Sequence, residues 1–411
     1  MLFAVNNTTP LSLREFHQSL GARFAALNSA EVVADYGDML AEHTALRETA
    51  GVLDLSFRSR LCLTGADRGR FLHGQVTNDV KRLRPGEGCY AALVTAKGKM
   101  QSDLNVFCLA DELLLDFEPG LTTAVTQRLE KFIVADDVQV VDVAPHYGLL
   151  SVQGPKAAAV VQALAVFADL PTQPLASVKV SDAMLGEIYL MNHARLLLPL
   201  PAAQERGESR GEGLSQTDRP SSPRPSPPSA GGEGVGALGG TGFDLFVPSV
   251  ALAAVADKLI AAAKSVGGRA CGWTAFETAR IESGIPRFGV DMDETNLPLE
   301  CGIEARAVSY NKGCYIGQEV INRIHSLGHV NRELRGLRLA DDLKTLPACD
   351  DKLFKDGKEV GHITSAIFSP ALKANIALGY VRREVNQVGS QLALQTTDGE
   401  SSASIVGLPF A

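Results

Sequence analysis

The sequence predicts an α+β protein of two or three domains that ends in a unit built from strands alone. Three observations carry that expectation. A chain of 411 residues is longer than one ordinary core organises. Up to about residue 330, strand-like and helix-like periods alternate along the chain. From about Glu333 the helical period gives way to short alternating segments separated by turns (ELRGLRL, DKLFKDGKEVGHITSAIF, IALGYV, QLALQT), the pattern of a closed or sandwiched β domain.

Residues 42–54 (EHTALRETAGVLD) read as a helix ending near Gly51, and 60–64 (RLCLT) as a strand. The turn Gly65-Ala66-Asp67 opens a helix with apolar positions at helical spacing (DRGRFLHGQV). Segments 89–95 and 103–109 read as strands joined by a turn around Lys97-Gly98-Lys99. Segment 112–117 is a further strand, followed by a helix through TTAVTQRLEKFI. Strand 149–154 and helix 156–167 begin a second unit, which FDLFVP (243–248) and the helix VALAAVADKLIAAAKSV continue. The helix WTAFETARIESG ends at Gly284, a residue suited to the left-handed C-cap. Residues 201–240 stand apart. They hold nine Gly, six Pro, six Ser and no aromatic residue, too little apolar area to offset the entropy of ordering. They read as a disordered surface insertion, with an active-site lid as the less favoured alternative.

Composition narrows the function. With 39 basic against 47 acidic residues and a net charge of -8, the chain has no overall attraction for nucleic acid, and direct binding to it is not expected. The start MLFAVNNTTPLSLREF lacks the basic-then-apolar order of a signal peptide, and no run reaches the length of a membrane span. A cytoplasmic location and no membrane partner are the expectations. The seven cysteines are scattered and form no CxxC pair, which argues against a disulfide framework or a structural zinc site; no metal is expected.

The densest chemical signal is Asn311-Lys312-Gly313-Cys314-Tyr315-Ile316-Gly317-Gln318-Glu319. Gly313 and Gly317 permit tight turns around a thiol, and the cation of Lys312 two residues away would favour a thiolate. The bland reading is a buried cysteine in a turn. His325 and His329 are spaced to share a helix face, but no third ligand accompanies them, and a polar face is the better reading. The segment Arg323, His325, His329, Arg332 and Arg335 is locally basic; it suits a polyanion such as a polyglutamyl tail or RNA, or simply solvent. Lys97–Asp103 reads as a turn feeding a strand whose carboxylate points into a cavity, or as a plain hairpin.

KGCYIGQE (312–319) resembles the signature of the YgfZ family, and AKGKMQSDL (96–104) and FLHGQVTNDV (71–80) resemble its N-terminal blocks. HTALRETAGVLDLS (43–56), ARIESGIPRFGVDMDETNLPLE (279–300) and GHITSAIFSPALKANIALGYV (361–381) resemble the wider glycine-cleavage T-protein superfamily. The resemblance implies three domains around a central folate channel, with a ferredoxin-like unit and a C-terminal β-barrel. The implied segments are 1–145 (folate-binding α+β), 146–265 (ferredoxin-like, containing 201–240), 266–332 (completing the folate site) and 333–411 (barrel).

The resemblance also implies a tetrahydrofolate ligand or a derivative of it. It makes Cys314 the functional thiol and Lys312 its tuner. Gly313 and Gly317 would shape the loop, and Tyr315, Gln318 and Glu319 would position a ligand or partner. Folate contacts are expected first at Arg280 and Glu282, then at the aromatics Phe276 and Trp273, and more weakly at Asp103, Asn78 and Phe57. Two departures stand out. T-protein relatives carry two aspartates where this chain has Ser102 and Asp103, and the family's folate-binding glutamate falls near Gly240. Both point away from aminomethyl transfer and toward an accessory factor for iron–sulfur enzymes, including tRNA-modifying ones, with those client enzymes or cluster-assembly proteins as partners. The second reading is a folate-dependent one-carbon transferase of the T-protein type; a thiol hydrolase using Cys314 is the third. Whatever the function, the composition of 201–240 predicts that limited proteolysis cuts there first; protection of that segment would contradict the reading.

Overall fold

The computed structural model describes residues 8–196 and 241–410; the expected insertion 201–240 lies outside the described residues. Three β layers organise the chain. The first is a five-stranded sheet in the order Gly88–Val94, Met100–Cys108, Leu113–Phe117, Ser59–Thr64, Gln139–Asp142. Its strands alternate sides, so Leu61, Leu63, Leu104, Val106 and Leu115 form one apolar face. Helices Arg68–Gln75 and Thr122–Glu130 cover that face with Phe71, Leu72, Val125 and Leu129. Each such fully buried side chain contributes about 1.5–3 kcal/mol.

The second sheet has the order Ser177–Asp182, Gly186–Asn192, Gly242–Pro248, Tyr147–Gln153, Gly51–Asp54, Arg269–Ala270. Helices Ala157–Gln162 and Leu252–Ser265 bury Val160, Val161, Val255 and Leu259 against Val152 and Leu245. From Tyr147 onward the chain runs strand, helix, three strands, helix, strand, which is the ferredoxin-like order with one added edge strand, Ser177–Asp182. Gly51–Asp54 is inserted between the first and last of these strands. This differs from the helix expected over 42–54. The helix is Met39–Glu48, and Gly51–Asp54 pairs antiparallel with Tyr147–Gln153 and parallel with Arg269–Ala270. All four of its residues are buried, so a continuous apolar run with no alternation reads equally as helix or strand. A Cβ on Gly51 would come within 2.5 Å of Leu46 Cδ2 and 2.8 Å of Cys271 Sγ, so any larger residue there would force those side chains to shift.

The third layer is a closed barrel of six strands, Arg332–Leu339, Ala374–Arg382, Lys358–Ser369, Lys352–Lys355, Gln391–Thr396 and Gly399–Val406. It is filled by Leu337, Ile363, Val381, Leu394 and Ile405. Among the described residues no helix is long and apolar enough to cross a membrane.

The helix Trp273–Glu282 joins the layers. Arg280 pairs with Glu277 and with buried Asp291, and Asp291 accepts hydrogen bonds from Thr364 Oγ1 (2.6 Å) and Ser365 Oγ (2.7 Å) of the barrel. Asp291→Ala would leave the buried Arg280 guanidinium short of an anion and two barrel hydroxyls without their acceptor. We expect a loss of about 3 kcal/mol, read as a lower urea midpoint; an unchanged midpoint would show that this joint contributes nothing.

Candidate functional site

A cavity of about 630 Å³ opens where the two sheets, the helix Trp273–Glu282 and the following segment meet. Strand alternation decides which side chains reach it. On Met100–Cys108, Ser102, Leu104 and Val106 are fully buried, whereas Asp103 and Asn105 line the cavity. Tyr90 lines it from the neighbouring strand, where it pairs with Asn105. On the helix, Trp273, Phe276 and Arg280 fall one turn apart and face the same space. His193 and Arg195, just after Gly186–Asn192, close the opposite side.

Asp103 is the chemically distinctive group. Tyr90 Oη donates to its Oδ2 at 2.8 Å, and its Oδ1 has no hydrogen-bond partner among the described residues. Burial, assisted by the nearby negative charge of Glu118, pushes the carboxyl up to about 6, while the Tyr90 hydrogen bond works in the opposite direction. Serine at 102 therefore does not leave the cavity without a carboxylate. Ser102 lies on the buried side, its hydroxyl on the carbonyl of Asp103, and the negative charge is supplied by residue 103.

The cavity's arginines are mostly committed. Arg58 holds Asp116 (2.7 Å) and Glu118 (2.6 Å), and Arg195 holds Asp116 (2.8 Å) and Asp244 (2.7 Å). Against a burial that alone would raise it, Arg195 and Arg58 keep Asp116 well below the usual carboxylate range. His193 Nδ1 lies 2.8 Å from Asp244, and burial, then the charge of Arg195, lowers the imidazole's pKa. Arg287 reaches Glu118 and Glu277 and sits over the Trp273 ring. Arg306 is different: it stacks over Tyr90 at 5.2 Å and makes no ion pair among the described residues.

The residues singled out from sequence divide accordingly. Asp103, Asn78, Trp273, Phe276 and Arg280 line the cavity. Phe57 packs edge-on against Trp273 from behind, with ring centroids 5.4 Å apart. Glu282 does not face it. Helical rotation turns it away, into a buried cluster with His43 (2.8 Å), Arg47 (2.9 Å) and Ser369. The Cys314 loop lies elsewhere. Cys314 is exposed and Glu319 pairs with Arg323 on the surface. Gly317, with φ of 87°, caps the helix Gln318–Leu327; a Cβ there would meet Thr95 O at 2.5 Å.

Lys312 does not serve the thiol. Its ammonium donates to the carbonyls of His73 (2.6 Å), Val76 (2.7 Å) and Asn78 (2.8 Å), and burial pushes it down to about 8. It closes the end of the helix Arg68–Gln75, with the buried Tyr315 ring 4.8 Å from its nitrogen. His325 pairs with Glu304, and His329 lies beyond the end of its helix. Sequence reasoning passed over Arg58, Tyr90, Asn105, Glu118, His193, Arg195, Arg287 and Arg306. Of these, only Asn105 carried a local signal, two residues from Asp103 on one strand face.

The chain matches the family described as the GCVT N-terminal domain over residues 13–193 and 235–312, and the Glycine cleavage T-protein C-terminal barrel domain over 332–411. An aminomethyltransferase of Ralstonia pickettii is 30% identical over 416 residues, spanning 98% of this chain and 96% of that protein. Another from Cupriavidus necator is 28% identical over 425 residues, with 98% and 96% spanned. The crystal structure of glycine cleavage system aminomethyltransferase T from Bartonella henselae shares the fold, with a TM-score of 0.78 at 22% identity over 98% of both chains. These relatives are named for aminomethyl transfer along the whole chain. That overturns the iron–sulfur accessory reading drawn from the Cys314 motif, together with its tRNA-modification and client-enzyme corollaries.

The raised carboxyl has a consequence for stability. Because folding lifts Asp103 from the ordinary 3.8 to about 6, the folded chain holds the extra proton between those values, and stability falls as pH rises through that window. Asp103→Asn, which is never charged, should therefore stabilise the protein at pH 7.5 by up to about 3 kcal/mol and hardly at all at pH 4. Thermal unfolding at the two pH values checks this; an equal effect at both would contradict it.

Proposed function

The chain belongs to the glycine cleavage T-protein family, and from that premise we propose that it is a folate-dependent transferase moving an aminomethyl or other one-carbon unit from an amine donor to tetrahydrofolate. The observation that carries the reading is Asp103: a carboxylate in a cavity of ligand size, with one oxygen unengaged and no arginine paired to it among the described residues. Trp273, Phe276 and Tyr90 supply aromatic surface for a heteroaromatic ring, while the Asn78 amide is spent on Tyr90 O, Arg306 O and Asp79 N and the Asn105 NH2 on Asp116.

In the transfer, two folate nitrogens come to bond the methylene carbon, while its bond to the amine nitrogen and its bond to the rest of the donor break. The two protons released by the folate nitrogens leave one with the amine and one with the remaining donor group. Positive charge develops on the methylene carbon as the amine leaves. A desolvated carboxylate stabilises that charge far better than one in water, because little solvent screens it. Asp103 also has a proton affinity close enough to neutrality to pass the proton from one nitrogen to the other. Only its ionised form does either, so the rate should fall as pH drops below about 6.

Incubation with tetrahydrofolate and an aminomethyl donor should yield methylene-tetrahydrofolate at enzymatic rates. Asp103→Asn should lower kcat by about 10²–10⁴-fold. Tyr90→Phe removes the hydrogen bond that favours the anion, so it should move the acid limb of the pH–rate profile upward. Full activity in Asp103→Asn, at unchanged pH dependence, would sink this reading.

A further inference from the structure

His193, just after a strand of the second sheet, lines the main cavity, whereas Asp103 lines it from the first sheet. Its ring is firmly placed. The backbone N–H donates to Gly242 O at 2.9 Å, and Gln153 Nε2 donates to the carbonyl at 3.0 Å. Phe107 packs edge-on against the imidazole, with ring centroids 6.2 Å apart. Nδ1 lies 2.8 Å from Asp244 Oδ2. Against a burial that alone would raise it, Arg195 and then His193 hold the Asp244 carboxyl below the usual carboxylate range. Asp244 is therefore ionised and has no proton to give, so the hydrogen of this bond belongs to Nδ1. Burial, then the charge of Arg195, keeps the ring from taking a second proton. A neutral imidazole with its hydrogen on Nδ1 carries a lone pair on Nε2. That nitrogen has no hydrogen-bond partner among the described residues and is not sealed from solvent. The cavity thus holds a fixed, uncharged acceptor.

We infer that His193 Nε2 accepts a hydrogen bond from the exocyclic amino group of the folate pterin ring, and so makes His193 a specificity-determining residue of the cavity. The inference rests on the folate reading above. In that reading Asp103 meets the end of the ligand where nitrogen reacts, and the amino group is carried at the far end of the ring. An amino group taken out of water without an acceptor is costly. The cavity's arginines cannot answer it, being donors only, and the NH2 groups of Asn78 and Asn105 are donors already spent. His193 Nε2 supplies what they lack. The same surroundings argue against a proton-transfer role for the ring. Arg195, 2.7 Å from Asp244, already answers that carboxylate's charge, so the pair draws little extra proton onto the imidazole.

The test is calorimetric titration of the full chain with tetrahydrofolate and with an analogue in which a methyl group replaces the exocyclic amino group. The wild type should bind the analogue about tenfold more weakly, the size of one neutral hydrogen bond lost from a desolvated site. His193→Asn keeps an amide NH2 for Asp244 but brings nothing to the place of Nε2, so it should fold and bind both ligands with a ratio near one. His193→Phe, which fills the ring's volume without an acceptor, should do the same. A ratio near one in the wild type, or one that the folded His193→Asn variant retains, overturns the inference while leaving folate binding in place. Failure of the folded wild type to bind either ligand is a different result: it removes the folate reading, and this inference with it.

Discussion

Asp116 is the point on which the rest of the site depends. Its carboxylate is fully buried on the strand Leu113–Phe117 of the first sheet and receives Arg58, Asn105 and Arg195 at once. Arg195 in turn grips Asp244 on a strand of the second sheet. From the other side Arg58 passes to Glu118, which meets Arg287, then Glu277, Arg280 and Asp291, where the barrel hydroxyls take over. Charges of alternating sign thus run without a break from the second sheet, through the first, along the helix Trp273–Glu282 and into the barrel. Apolar packing holds each layer together internally, but this chain fixes how the layers face one another across the cavity.

Buried ion pairs are weak contributors to net stability, because taking each charge out of water costs about what the pairing returns. Their value here lies in directionality. An apolar interface between the sheets would allow many registers, whereas a guanidinium fork on a carboxylate allows few. The same commitment shapes the chemistry. With Arg58, Arg195, Arg280 and Arg287 each tied to acids, no arginine pairs with Asp103, and Glu118 adds repulsion. The carboxyl is left desolvated and underneutralised, the condition in which its charge is most available to a ligand.

Local patterns in the sequence disclosed the layers and the barrel. Amphipathic periods marked the helices, and the family resemblance pointed to Trp273, Phe276 and Arg280 on the cavity side of one helix along with Glu282, which helical rotation turns away. The ion chain was not legible, because its partners lie far apart in sequence: Arg58 with Asp116, Glu118 with Arg287, Arg195 with Asp116. Period-two alternation puts Asp103 and Ser102 on opposite sides of the strand, and the reading of Lys97–Asp103 as a turn feeding a strand with a cavity-facing carboxylate stood beside that of a plain hairpin. What pointed away from transfer was weighing Ser102 by residue type at an expected position instead of by the side of the strand it occupies. The Cys314 motif misled in a related way. A lysine two residues from a cysteine invites the reading of a stabilised thiolate, yet the carbonyls at and just past the end of helix Arg68–Gln75 need a donor, and the lysine goes there.

Tyr90 connects the two groups that the ion chain leaves free. Its hydroxyl holds one oxygen of Asp103 and its ring face carries Arg306. One side chain thereby touches both the cavity's unpaired carboxylate and the cation at the cavity's edge. Because the ring is itself deeply set and its own phenol is held far from ionising by burial, it acts as a neutral spacer at any physiological pH. Among the described residues Asp103 and Arg306 form no salt bridge with each other; one would neutralise Asp103 and occupy Arg306, extending the ion chain by one link at the expense of both free charges.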